Sequence, residues 1–281
     1  MTLHSVVRQA PDPRRDGPTI AGAERGIDPK TWRLIPVAVV PLDPIAPTSV
    51  ITAMLAIGAT RIHANVFGPA AYGELPREPV AIDTDPARPM SALLGAPTGG
   101  DLAALADEDP APSAHEIDAY TDQRTGTRAT VISQLPGRVP ITAGQFERAT
   151  ALIAGRHGGY FADITPTTAD SLMPAALNAA RFVIAVASTD DVPAWLHDTP
   201  NPVQPFLDAG RLAIANLHGT TTTVYERYGV QTLSIGFHLS QQPGPLFAPY
   251  GIDLLRAETA TITAIIDALD VALGAPDQMG A

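Results

Sequence analysis

Residues 159 to 188 read GYFADITPTTADSLMPAALNAARFVIAVAS. Two aliphatic runs, GYFADIT (159–165) and RFVIAVAS (181–188), enclose a segment at 169–180 long enough for a three-turn helix. The runs are apolar residue after residue instead of alternating, so both faces of each strand are covered. A strand, a helical connector and a second strand of this kind form a parallel crossover.

The same alternation recurs on both sides of this stretch. RLIPVAVV (33–40), PVAIDT (79–84), RATVIS (128–133), RLAIAN (211–216) and QTLSIG (231–236) bring the strands to seven. Helical patterns fall at 49–57, 142–156, 192–209 and 257–273, the last with Ile262, Ile265, Ile266 and Leu269 on one face. The sequence therefore predicts an α/β protein with a doubly wound, mostly parallel seven-stranded sheet and helices on both faces. Residues 96–120 are polar, acidic and interrupted by proline, and read as a short helix and a surface loop over the sheet edge. Residues 1–30 carry prolines, glycines and mixed charges without apolar periodicity and read as a flexible tail. A single domain at 31–275 and a short tail at 276–281 complete the expected layout.

Composition narrows the chemistry. The 281 residues contain no cysteine, which excludes disulfides, thiolate metal sites and a cysteine nucleophile. The net charge of −11 opposes phosphate-rich and anionic-lipid partners at long range, so non-specific DNA binding is not expected. The basic residues are 17 arginines and the single lysine Lys30. No apolar run approaches a membrane span, and no basic residue follows Arg256 to make a basic amphipathic anchor, so the expected location is cytoplasmic. Ser171 and Ser188 lack a glycine elbow, which disfavours a hydrolase triad.

In a doubly wound sheet, ligands bind at the carboxyl ends of the strands. The order VAVVPLDPIAPTSVITAMLA, VAIDTDPAR, GYFADITP, ARFVIAVAS, LAIAN resembles the MinD/ParA family of P-loop ATPases with a deviant Walker A motif, in the form common in actinomycetes. The resemblance covers roughly residues 33–273. The family's KGGVGKTT turn falls, without a gap, on Asp43, Pro44, Ile45, Ala46, Pro47, Thr48, Ser49 and Val50. The signature lysine thus becomes Asp43 and the P-loop lysine becomes Thr48, while the glycines become Pro44, Ile45 and Pro47. Only Ser49 keeps the hydroxyl that binds magnesium in the family.

A P-loop works because successive backbone N–H groups converge on phosphate oxygens at a helix N-terminus. Proline has no N–H, and each lost charge-assisted hydrogen bond is worth roughly 1.5 to 3 kcal/mol. The resemblance nevertheless keeps other positions. Asp83 and Asp85 match the acidic pair that contacts the attacking water and magnesium shell, and would be the catalytic residues. Asp163 matches the Walker B aspartate, so that Ser49, Asp85 and Asp163 would hold magnesium if any binds. Asn216 matches the residue that reads adenine and, with Asp43, Thr48, Ser49 and Val50, would make up what remains of the nucleotide site. Read without the resemblance, Asp83 and Asp85 before Pro86 suit an Asx-type turn and helix start, Asn216 suits a strand-end turn, and His218 and His238 suit the surface.

The functional expectation is a pseudo-ATPase. It is a scaffold or regulator in partitioning, positioning or secretion and conjugation machinery, with no cofactor or only weakly bound magnesium-ATP. Its partner is expected to be a protein, either an active paralogue of MinD/ParA type or a basic assembly protein. The alternative is an active ATPase in which an arginine, such as Arg61 or Arg88 or one from a partner, replaces lysine.

Overall fold

In the computed structural model, the described residues are 35–67, 80–94, 100–109, 111–113, 116–117, 120–123, 129–187, 202–216, 231–234, 247–248 and 251–252. Their strands are β1 (Pro36–Pro41), β2 (Val80–Asp83), β3 (Asp122–Gln123), β4 (Thr130–Ser133), β5 (Tyr160–Asp163), β6 (Phe182–Ala187), β7 (Leu212–Asn216), β8 (Gln231–Ser234), β9 (Phe247–Ala248) and β10 (Gly251–Ile252). The helices are α1 (Thr48–Phe67), α2 (Pro89–Leu94), α3 (Leu102–Asp107), α4 (Ala143–His157), α5 (Ala169–Ala179) and α6 (Gln204–Asp208).

The sheet runs in the order β3-β4-β2-β5-β1-β6-β7-β8. Every pairing from β4 to β8 is parallel. Six of the seven expected parallel strands have described side chains, and β8 joins them through its backbone pairing with β7. The strand count differs from seven because the two-residue β3 adds an antiparallel edge that no apolar run announces. Burial explains why the parallel strands are uniformly apolar: β2, β4, β5 and β6 are buried at every residue.

One face of the sheet packs Ala38, Val40, Ile82, Ala162, Val183 and Ile214 against Phe146 and Ile153 of α4 and Leu172 of α5. The other face carries α1, which contacts β1, β2 and β5. Helix α1 runs ten residues past the expected end at 57. Gly58 costs a helix only about 1 kcal/mol relative to alanine, and the buried Met54, Leu55, Ile57 and Ala59 on either side outweigh it. Helix α4 begins at a capping box between Thr142 and Gln145 and ends at Gly158 in the left-handed region. Of the expected helix at 192–209, residues 202–209 are described and Gln204–Asp208 are helical, whereas the tail at 1–30 and the helix at 257–273 lie outside the described residues. Among the described residues no helix is long and apolar enough to cross a membrane.

Within the expected loop segment at 96–120, the described helix α3 is buried and does not lie over the surface. The spacing of Leu102, Leu105 and Ala106 makes an apolar stripe on α3, and these residues are buried beside α4. Asp101 caps α3 by accepting from the N–H groups of Ala103 and Ala104 at 3.1 and 3.2 Å, and Arg138 lies 3.3 Å from its second oxygen. Just before this cap, Gly100 has φ +72°, and a Cβ there would sit 2.2 Å from the Tyr120 carbonyl oxygen. Gly100→Ala therefore meets both left-handed strain and a backbone clash. It is expected to lower unfolding free energy in urea titration by roughly 2 to 4 kcal/mol, whereas Gly144→Ala, with open space around its Cβ, should not destabilise.

Candidate functional site

The order of the strands reverses at β1, which lies between β5 and β6, so the loop after β1 and the carboxyl ends of β2 and β5 border the crevice of the fold. Val39 of β1 is the register partner of Asp163, and Asp163 is the partner of Asp83. The parallel register thereby brings together the residues that the sequence singled out.

The loop from Leu42 to Pro47 is held by its own backbone. The Ile45 N–H donates to Asp43 Oδ1 at 3.0 Å, the Ala46 N–H to the Asp43 carbonyl at 3.1 Å and the Thr48 N–H to the Ala46 carbonyl at 2.9 Å. Val50 and Ile51 donate to the Pro47 carbonyl, which opens α1. Asp43 thus makes an Asx turn, Thr48 and Ser49 are buried, and Ile45 at the tip is 74% exposed.

Behind the loop lies a set of buried carboxyl groups. Asp163 is fully buried, and Ser49 Oγ donates to its Oδ2 at 2.6 Å. Burial pushes the Asp163 carboxyl up to about 8 and the neighbouring Asp83 charge adds to the rise, while the Ser49 and Thr48 hydroxyls oppose it. Asp83, also fully buried, accepts from the Ser91 N–H at 2.8 Å and the Ser91 hydroxyl at 2.7 Å. Its burial lifts it to about 6 against the lowering effect of those two bonds.

Asp85 is occupied differently. Its Oδ1 accepts from the Ala87 N–H at 2.7 Å, and its Oδ2 accepts from Thr165 Oγ1 at 2.9 Å and from Thr167 Oγ1. Thr84 and Thr168 extend this hydroxyl network, with Thr84 Oγ1 donating to the Asp163 carbonyl at 2.6 Å. Arg88 closes the turn with φ +55°, an uncommon conformation for a residue with a Cβ. Its side chain is buried, and Nε donates to Ser133 Oγ at 3.0 Å.

Asp83, Asp85, Asp163, Thr48 and Ser49 therefore share one end of the sheet. Val50 is half-buried at the start of α1, and Asn216 ends β7 beside Ala187 and Ser234, its side chain outside the described residues. The side chain of Arg61, His218 and His238 also lie outside them. Within the expected magnesium set of Ser49, Asp85 and Asp163, Asp85 accepts from three donors and the Ser49 hydroxyl donates to Asp163. Among the described residues no three acidic or histidine side chains are grouped to hold a metal.

Sequence reasoning did not single out Ser91, Thr165 or Thr167. The signal for the threonines was present in TPTT directly after Asp163, where hydroxyls commonly close strand-end turns, and Ser91 stands in the first turn of a helix opened by Pro89.

No known protein family matches the sequence, and no curated protein does. Among solved structures, a ParA family ATPase from Chlorobium tepidum TLS matches with a TM-score of 0.54 and 14% identity over 83% of this chain and 98% of that chain. At that identity the likeness is one of fold. The chain has a ParA-like α/β fold, with its buried carboxyl groups at the strand ends where that fold has its crevice.

Proposed function

We propose that this is a ParA-like protein of the deviant Walker A type with a degenerate nucleotide site, a scaffold or regulator that works through protein contacts without ATP hydrolysis. The observation that carries the reading is the loop after β1. Its N–H groups at Ile45, Ala46 and Thr48 are already used inside the turn, and Pro44 and Pro47 have none. A triphosphate would have to break three internal bonds and would then face Asp43. The exposed Ile45 and the prolines offer instead a rigid, partly apolar tip, which costs little entropy to order against a protein. The net charge of −11 favours a basic assembly protein or an active paralogue with lysines at this edge.

Magnesium-ATP is expected to bind more weakly than about 100 μM in calorimetry, with no turnover in a phosphate-release assay. Low-micromolar binding with hydrolysis would overturn the reading in favour of an ATPase.

A further inference from the structure

A groove of about 460 Å³ lies between the second half of α5, the segment around α6 and the start of β7. It sits at the amino ends of β6 and β7, the edge of the sheet opposite the loop after β1. Its walls are the exposed prolines Pro174, Pro202 and Pro205, and its floor is the buried Leu177 with the half-buried Phe206. Phe206 packs on the core, and its carbonyl accepts from the Arg211 N–H at 2.7 Å. Gly210, with φ +65°, closes the turn by donating to the Leu207 carbonyl at 3.0 Å. Proline has a locked φ and no backbone donor to desolvate, so the groove loses little freedom when it is covered.

Among the described residues that line the groove, Arg211 alone carries a charge. Arg211 immediately precedes β7 and the exposed Arg181 immediately precedes β6, so these adjacent parallel strands put two arginines on one edge. Asp208, the acid of α6, already accepts from Gln204 Nε2 at 2.6 Å. In a chain of net charge −11, this local positive charge favours a carboxylate while the long-range field turns away a polyphosphate. The apolar lining calls for a non-polar side chain beside that carboxylate. Pro174, Asn178, Pro202 and Pro205 are all exposed, so the groove opens on the surface. A small-molecule site encloses about 70 to 90% of its guest, whereas an open groove suits a run of polypeptide.

We infer that this groove docks a short acidic segment of a partner protein, with an apolar side chain seated against Phe206 and Leu177 between the prolines and a neighbouring carboxylate paired with Arg211. An apolar anchor in a preformed pocket, beside one charged contact, is the usual way a small surface concentrates binding energy. The contact is separate from the loop after β1 and needs no nucleotide, so it stands whether or not the reading of the nucleotide site holds. With the exposed Ile45 tip at the carboxyl end of the sheet, it gives the chain one protein-binding surface at each end.

The test pans a random peptide library displayed on phage against the full chain without nucleotide, then measures the enriched sequences as fluorescent peptides by anisotropy. They should share an apolar residue beside aspartate or glutamate and bind with a Kd on the order of 10 to 100 μM. Arg211→Gln, which keeps the backbone N–H that holds the Phe206 carbonyl, should weaken them about tenfold. Added salt should weaken binding to the native chain more than to that variant. Asn178→Trp, which fills the groove from an exposed helix position, should abolish binding, and it stands as the test if the arginine variant fails to fold by circular dichroism. Enriched peptides without acidic residues, or peptides that bind both variants as well as the native chain, overturn the inference. A library that enriches nothing leaves the groove to this chain's own residues, and a dimer in light scattering that Asn178→Trp dissolves gives it to a second copy; either result also overturns it.

Discussion

Asp163→Asn is expected to stabilise the protein, and by more the higher the pH. The Asp163 carboxyl titrates near 8 in the folded chain against an ordinary 3.8, because it is fully buried with the Asp83 charge beside it. Below about pH 4 both folded and unfolded chains are protonated there, so the contribution of this group to stability is fully present. Between 4 and 8 the unfolded chain ionises while the folded chain keeps its proton, and stability is lost steadily as pH rises. Above 8 both are ionised and the loss is complete, on the order of 5 kcal/mol at about 1.4 kcal/mol per pH unit. Asp83, lifted to about 6, works in the same direction over the lower part of that range. Asparagine keeps an oxygen for the Ser49 hydroxyl and carries no charge to desolvate. Urea unfolding at pH 5, 7 and 9 should therefore show the native chain falling away from the variant, with the gap widest at pH 9. Parallel curves would mean that the folded chain neutralises Asp163 by some other route.

The burial of these carboxyl groups is only partly announced by the sequence. FADIT and AIDT mark aspartates at the ends of apolar strands, and the parallel crossovers require those ends to lie on one edge of the sheet. That much was legible, because hydrophobic continuity over four to six residues is a strong local signal. Which oxygen of each carboxyl is satisfied was not legible. It depends on Ser91 reaching back eight residues to Asp83, and on Thr165 and Thr167 turning toward Asp85 from the turn after β5.

The same division holds for the fold. Strands and the α4 and α5 helices follow their sequence patterns within about three residues, since each is set by its own apolar spacing, helped in α4 by its capping box. The edge strand β3 and the burial of α3 escape such reading. Asp122 and Gln123 pair only because β4 presents an open edge, and α3 is buried because α4 lies across it. Long-range packing decides these elements, and propensity cannot report it.

The loop after β1 gives the sharpest test of the proposed function, because its defects can be reversed. Carrying Asp43→Lys, Pro44→Gly, Ile45→Gly, Ala46→Val, Pro47→Gly and Thr48→Lys together, with Ser49 kept, restores two lysines and three glycines at the positions where the resemblance places them. The two prolines gain N–H donors, and the Asp43 side chain that now holds the Ile45 N–H is gone, so the loop's donors are released toward a ligand. Restoring two or more charge-assisted hydrogen bonds and reversing one charge should raise magnesium-ATP affinity by about 10² to 10⁴ in calorimetry. The added glycines oppose this by roughly 1 kcal/mol each through a floppier unfolded chain, which lowers the melting temperature without touching the contacts made on binding. A lysine at position 48 also puts a cation beside Asp163, where the Thr48 hydroxyl now stands. It should hold that carboxyl ionised and flatten the loss of stability between pH 4 and 8, so one variant reports on both the phosphate cradle and the buried acid. If the grafted loop flattens the pH profile and ATP still binds no better than to the native chain, the defect lies beyond the loop, and the explanation offered here for weak nucleotide binding is wrong.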